Sequence, residues 1–392
     1  MSEQKTIRMA LAGLGGYGGN YFEQAMTQPD WGIELVAVID PYAKRAKVWA
    51  DVEAAGIPVY DTLSEFLAVD SADLVAVSAP IHLHEQMTCE ALASGANVLC
   101  EKPVAGTIQE ARAMADAAAK APGFCAIGYQ WSYSDAVQAL KADVMTGVLG
   151  KPIRLRTAIF WPRTKTYYNR NGWAGRIRLD GGEVVLDSPA NNATAHYFHN
   201  MLYVIGATLG TAAMPTSVQA ELYRTNPIEN YDTAMIRCQM DCGAEVLFYT
   251  THACEANHGP DSIFEFENAT VRYIESEGAA FIAEFKDGST KMYGAPGDQH
   301  HMDKLRICCD AIRNGTPVPC PIEAGMAQLL CINGAQDSAE ITEFPDEVVH
   351  VDTVDGDDEL RWIDGLYETM VACCDQGVLP SELGGVSWAK AG

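Results

Sequence analysis

From residue 7 onwards, short unbroken apolar runs alternate with longer stretches of helical spacing. The apolar runs are 7–12, 34–39 (ELVAVI), 73–77 (DLVAV), 97–100 (NVLC) and 124–127 (FCAI). Between them, 17–27, 43–54, 62–67, 83–93 and 107–120 predict helices. The last of these contains the alanine-rich ARAMADAAAKA, strong in helix propensity. Strands this short and this apolar, alternating with helices, predict a parallel sheet covered on both faces.

The pattern changes after about residue 128. One helix (134–147) precedes longer strand-like segments at 153–161, 217–224, 233–240, 244–252, 262–267, 270–275 and 280–285. Hairpin-type punctuation such as DCGAE and KDGST joins some of them, so a largely antiparallel sheet is expected. Helical stretches at 188–205 and 299–314 interrupt and follow it. In the tail, ELRWIDGLYETMVACCDQG predicts an amphipathic helix. The reading is α/β plus α+β. A doubly wound parallel domain spans 1–128, a second domain on a largely antiparallel open sheet spans 129–345, and a tail spans 346–392.

Composition narrows the function. At 392 residues two domains are expected, and the net charge of −25 disfavours nucleic acid and anionic membrane as partners. The polar opening MSEQKTIRM leads straight into the first apolar run without the apolar core of a signal peptide, so a cytoplasmic location is expected. Twelve cysteines without a Cys-x-x-Cys then read as reduced, buried thiols, and no metal site is expected. Charge is uneven: residues 144–179 hold eight Lys/Arg and no acid, and 346–359 hold seven acids and no Lys/Arg. Two solvated surfaces, or one pairing with the other, are the simplest reading.

The most specific local signal is LAGLGGYGGN, where Gly13, Gly15 and Gly18 fit G-x-G-x-x-G, with Gly16 and Tyr17 inside the loop. A first glycine allows a tight turn out of a strand, a second lets backbone approach a pyrophosphate, and a third lets helix and strand pack closely. The phosphates would sit at a helix N-terminus, where free N–H groups favour anions. Asp40 ends the next strand at the spacing of an acid that grips ribose hydroxyls, which favours NAD over NADP. Lys44 and Arg45 stand close to it.

A second motif runs through SAPIHLHEQMTCEALASGANVLCEKPVAGT. Pro80 ends a strand, His84 opens a helix, and Glu101-Lys102-Pro103 closes the strand 97–100. A lysine before proline is held extended, and a strand end is where open α/β sheets place ligands. With the glycine loop and AIGYQWSYSDAVQALKADVMTGVLGKPIRLR, these residues make the chain resemble the glucose–fructose oxidoreductase/inositol dehydrogenase/rhizopine catabolism (Gfo/Idh/MocA) family over roughly residues 5–340. The resemblance implies an N-terminal Rossmann domain binding NAD and a C-terminal domain whose open sheet serves homo-oligomerisation. It also implies hydride exchange with a sugar, cyclitol or related polyol. Lys102 matches the family's active-site lysine. The cofactor site would comprise Gly13, Gly15, Gly16, Tyr17, Gly18, Asp40, Pro80, His84, Glu101, Lys102 and Gln130.

One departure concerns the helix lining the site, where relatives carry Asp-x-x-x-His-x-x-Asp. Counted from Asp187, the His position holds Asn191. Counted back from Gly206, it holds His196, with His199 at the second acid position. His196 is taken as the proton carrier, with Asp187 or Asn191 orienting hydroxyls, and His199 as either a ligand or a core histidine. The loop FWPRTKTYYNRNGWAGRIR mixes flat apolar faces with forked donors, a combination suited to a sugar. Trp161, Arg163, Tyr167, Trp173 and Arg176 are its candidate contacts. His300-His301 are expected to cap the helix 299–314.

The expected activity is NAD-dependent oxidation of a secondary alcohol of a sugar, glycoside or cyclitol. Two alternatives stand beside it: a glycosidase that oxidises, eliminates, hydrates and reduces with tightly held NAD, and a non-catalytic NAD-binding regulator.

Overall fold

The computed structural model describes residues 5–389 and divides them into two compact units. The first contains residues up to Tyr133 together with 299–326, and the second contains 134–298 and the residues from 327 on. Residues 299–326, which the sequence reading places in the second domain, thus pack with the first.

The first unit holds strands β1 (Ile7–Ala12), β2 (Ile33–Ile39), β3 (Val59–Tyr60), β4 (Leu74–Val77), β5 (Asn97–Cys100) and β6 (Cys125–Ile127). They form one parallel sheet in the order β3-β2-β1-β4-β5-β6. The apolar runs sit where the pattern puts them: β4 is buried along its whole length, and β1 nearly so. The helices are α1 (Gly18–Thr27), α2 (Trp49–Ala54), α3 (Leu63–Leu67), α4 (His84–Ala93) and α5 (Ile108–Ala118). Thr62 with Glu65 and Thr107 with Glu110 form capping boxes that start α3 and α5. The predicted helix 43–54 is broken, because only 43–45 (a 3₁₀ turn) and 49–54 are helical. The strand order reverses between β1 and β4, which places a ligand crevice outside their carboxyl ends.

The second unit begins with α6 (Asp135–Met145), β7 (Pro152–Phe160), α7 (Lys165–Tyr168) and α8 (Ala195–Val204). Strands β8 (Pro215–Arg224), β9 (Thr233–Met240), β10 (Glu245–Thr251), β11 (His258–Phe266), β12 (Ala269–Ile274), β13 (Phe281–Phe285) and β14 (Thr290–Gly294) follow. Next come α9 (Asp303–Asn314), which belongs to the first unit, and α10 (Ile322–Ser338), β15 (Ile341–Glu343), β16 (Val349–Val354), β17 (Asp358–Ile363), α11 (Leu366–Gln376) and α12 (Pro380–Leu383). The nine-stranded sheet runs β14-β13-β12-β11-β7-β10-β9-β8-β15 and is antiparallel except at β7/β10 and β8/β15.

Three elements depart from the pattern. The helix expected over 188–205 starts only at Ala195, because Ser188 and Asp187 accept bonds from Asn191 and Asn192 and hold 188–194 in turns. Residues 359–363 are strand, since β17 pairs with β16, and the tail helix begins at Leu366. Helix α10 was not foreseen.

One face of the nine-stranded sheet packs on α8, with Phe198 stacked on Phe248 at 4.7 Å. On the other face, Ala158, Phe160, Tyr223, Met235, Leu247 and Tyr249 are buried under Leu366, Met370, Cys373, Leu379 and Trp388. The Tyr249 hydroxyl donates to the carbonyls of Cys373 (3.1 Å) and Val378 (3.0 Å). The face expected to lie open for oligomerisation is therefore closed over these strands by the chain's own tail. The basic and acidic stretches meet in part, through Lys165 with Glu359 at 3.3 Å. No helix among the described residues is long and apolar enough to cross a membrane.

Candidate functional site

The glycine loop leaves β1 and enters α1. A Cβ on Gly18 would fall on the Gly13 carbonyl oxygen, and one on Gly13 (φ +89°) would lie 2.5 Å from the Ser78 carbonyl oxygen. These two positions have no room for a side chain because helix, strand and the turn after β4 touch there. Gly15 and Gly16 are exposed, and a Cβ on either would meet nothing within 4 Å. The loop is thus closed where it packs and bare where a phosphate would rest, at the N-terminus of α1. The Asp40 carboxylate accepts the Leu14 N–H at 2.9 Å and the Tyr42 N–H at 2.7 Å, which fixes it beside the loop. The residues present therefore fit a dinucleotide. Arg45 lies over the Tyr42 ring at 4.7 Å.

The turn after β5 is tied down from both sides. The His84 ring is buried, with Nδ1 2.9 Å from the Pro103 carbonyl and Nε2 2.9 Å from the Ala79 carbonyl. It therefore bridges the exits of β4 and β5, next to exposed Pro80. Burial lowers its pKa. The Lys102–Pro103 bond is cis, and Lys102 is half-buried. Glu101 turns inward: its carboxylate accepts the Tyr21 hydroxyl at 2.6 Å and pairs with Lys304 of α9. Gln130 opens the 3₁₀ turn 130–133 after β6 and is half-buried. His300 accepts the Met302 N–H at 3.2 Å in the turn before α9, so it does not cap the helix as expected: the N-cap is Met302, without a side-chain bond, and His301 lies against Tyr17 at 5.6 Å.

In the second unit a polar cluster forms beyond the ends of β7 and β10. Asp187 is buried, and its carboxylate accepts the Gly175 N–H (2.7 Å) and the Asn192 amide (2.7 Å), with Arg170 at 3.5 Å. Arg170 lies 3.8 Å from the Tyr167 ring centre and 5.1 Å from that of Trp173. Arg163 lies 5.1 Å from the Tyr167 ring centre. The Trp161 ring meets Tyr197 of α8 edge-on at 5.6 Å, and its indole donates to the Gly259 carbonyl. The aromatic loop and the α8 turn carrying half-buried His196 are thus brought together.

Three expected contacts sit elsewhere. Asn191 is fully buried and its amide donates to the Leu186 carbonyl, so it pins a turn. His199 is fully buried, stacked on Tyr203 at 5.6 Å, and burial with the Lys141 cation drives its pKa well down. It is a core histidine, with no face for a ligand. Arg176 turns to Asp180 (2.6 Å) and Glu229 (3.8 Å).

Sequence reasoning missed His252 and Lys304. Buried His252 follows β10 and sits 3.2 Å from the Tyr168 hydroxyl. Burial, then Arg163 and Arg170, hold it neutral. A histidine closing an apolar strand run was its only signal. For Lys304 the signal was a lysine in the apolar stripe shared with Cys308 and Ala311. No group of three His, Cys, Asp or Glu among the described residues is arranged to hold a metal.

Residues 7–129 match the model of an oxidoreductase family with an NAD-binding Rossmann fold. A 1,5-anhydro-D-fructose reductase from Ensifer adhaerens is 30% identical over 164 residues, 41% of this chain and 47% of that protein. A D-glucoside 3-dehydrogenase from Escherichia coli K12 is 30% identical over 203 residues, 51% of this chain and 54% of that protein. The chain thus spans about half the length of these curated relatives. The crystal structure of the WlbA dehydrogenase from Bordetella pertussis, in complex with NADH and UDP-GlcNAcA, shares the fold. Its TM-score is 0.71 at 22% identity, over 86% of this chain and 97% of that one.

Proposed function

Because residues 7–129 belong to the Gfo/Idh/MocA family of oxidoreductases, with its NAD-binding Rossmann fold, we propose that this chain is an NAD-dependent dehydrogenase acting on a secondary alcohol of a sugar, glycoside or cyclitol. The observation that carries the reading is the glycine loop, bare at Gly15 and Gly16 and held by Asp40 through the Leu14 N–H. Gly13 to Gly18 hold the pyrophosphate and Asp40 the adenosine ribose, where its charge disfavours a 2′-phosphate. A nicotinamide dinucleotide bound there supplies the hydride acceptor or donor.

The protein residues orient the alcohol and handle its proton. Lys102 stabilises the alkoxide as it develops, and His84 fixes the turn that carries it. His196, half-buried beside the aromatic loop, carries the hydroxyl proton. Arg163, Tyr167 and Trp173 present the donors and faces that orient a pyranose or cyclitol ring, with Arg170 and Asp187 setting the loop. The relatives named for reduction of an anhydro-sugar and for oxidation of a glucoside support this substrate class.

The test is a panel of sugars, glycosides and inositols with NAD, followed by NADH absorbance, beside Lys102→Ala and His196→Ala. Both variants should still bind NADH and lose at least about a hundredfold in turnover. Net hydrolysis of a glycoside without NADH accumulating would assign the glycosidase reading. NADH binding with no turnover anywhere in the panel would favour the regulator.

A further inference from the structure

Lys304 is a lysine with a fully buried side chain, and Tyr17, Glu101 and Gly128, its polar partners, all belong to the first unit. Its ammonium pairs with the Glu101 carboxylate, lies 3.2 Å from the Tyr17 hydroxyl and lies 3.4 Å from the Gly128 carbonyl. Three donors thus meet three acceptors on three separate segments: the glycine loop, the turn after β5 and the exit of β6. Glu101 completes the joint. It accepts the Tyr21 hydroxyl from α1 and lies 3.3 Å from the Lys102 backbone N–H. Gly128 leaves no slack, since a Cβ there would lie 2.9 Å from that carboxylate.

We propose that Lys304 is a positioning residue: acting through Glu101 and Tyr17, it locks the Lys102 turn to the glycine loop, so that the active-site ammonium and the cofactor keep one spacing. This rests on the reading of Lys102 and the glycine loop given above. A purely packing role would be met more cheaply by an apolar side chain, because burying an ion pair gives little net stability over a hydrophobic pair of similar volume. What the ion pair adds is direction, since each of the ammonium's hydrogens must point at its own acceptor.

Without the lysine, Glu101 still accepts the Tyr21 hydroxyl and still abuts Gly128, but the ammonium that ties it to Tyr17 and the glycine loop is gone.

The experiment measures NADH affinity by fluorescence titration at pH 7, and kcat and KM on the substrate found by the panel. The proteins are wild type, Lys304→Met, Glu101→Gln and the double variant. In Lys304→Met, kcat should fall about tenfold or more and NADH affinity about tenfold, with KM for the alcohol little changed. The losses should not add, so the kcat of the double variant should be no lower than that of the worse single variant. A Lys304→Met protein with wild-type kcat and wild-type NADH affinity overturns the proposal. Should that variant not fold, the double variant buries no charge and carries the test, and wild-type kcat there overturns it equally. Failure of wild-type protein to bind NADH would instead remove the functional reading itself.

Discussion

Adding one methyl group at Gly15 separates a loop built to turn from a loop built to hold phosphate. A Cβ at Gly15 meets no atom within 4 Å, and the residue lies outside the left-handed region. Gly15→Ala should therefore leave the empty protein as stable as wild type, or more stable by about 0.4–1 kcal/mol through the loss of unfolded-state freedom. On the proposed reading the pyrophosphate would rest against the bare backbone at Gly15, and the methyl would displace it. Hydrogen bonds to a charged group contribute about 1.5–3 kcal/mol each. Losing two removes about 3–6 kcal/mol, which at about 1.4 kcal/mol per tenfold is at least a hundredfold in affinity. Calorimetric titration with NADH measures this directly. Thermal melts supply the control: wild type at one hundred times Kd gains about 2.7 kcal/mol from ligand, and the variant should gain almost none. Gly18→Ala is the contrast, because its Cβ falls on the Gly13 carbonyl and should lower the melting temperature of the empty protein. If Gly15→Ala binds NADH as wild type does, the loop does not cradle phosphate and the cofactor argument fails.

Other outcomes follow from the same structure. Asp40→Ala should shift the ratio of NAD to NADP affinity towards NADP by about tenfold or more, a difference of about 1.4 kcal/mol; an unchanged ratio takes Asp40 out of the ribose site. His84, His199 and His252 are buried with lowered pKa values, so the unfolded chain takes up their protons first on acidification. The stability they contribute is complete above about pH 6.5 and is lost as pH falls below it, by up to about 1.4 kcal/mol per unit for each group. Urea unfolding of His252→Phe at pH 7 and 5.5 should show the acid loss reduced by about 1–2 kcal/mol, and an identical loss would mean that His252 is not held neutral. Leu366→Ala should cost about 2–5 kcal/mol by opening a cavity between the tail and the nine-stranded sheet; an unmoved urea midpoint would show that the tail does not seal that face.

The parallel sheet was legible because β1 and β4 are apolar nearly throughout, and only a sheet covered on both faces uses such strands. The glycine loop was legible because its spacing encodes contacts within one β-turn-α unit. Helix α10 escaped because its buried residues, from Ile322 to Ala335, surround the helix and leave no stripe to read. The start of α8 escaped because side chains of Asp187 and Ser188 compete for the backbone and amides that a helix would otherwise use. Residues 359–363 fit a helical stripe locally, and pairing with β16 overrode it. Lys304 could not be read because its meaning lies in a carboxylate some two hundred positions away. His199 and His196 share one helix, and only burial tells the core residue from the half-exposed one.

The carboxylate at Glu101 and its cation are separated in the chain by residues 134–298, all of which build the other unit. At roughly 5–20 residues per second, a ribosome needs about 8–30 s to make that stretch. During this interval the nucleotide-binding half exists without α9, and its inner carboxyl lacks the cation that Lys304 later brings. Cutting the gene at residue 133 would make that transient condition permanent, so an isolated first half should be judged by whether residues 299–326 are supplied with it.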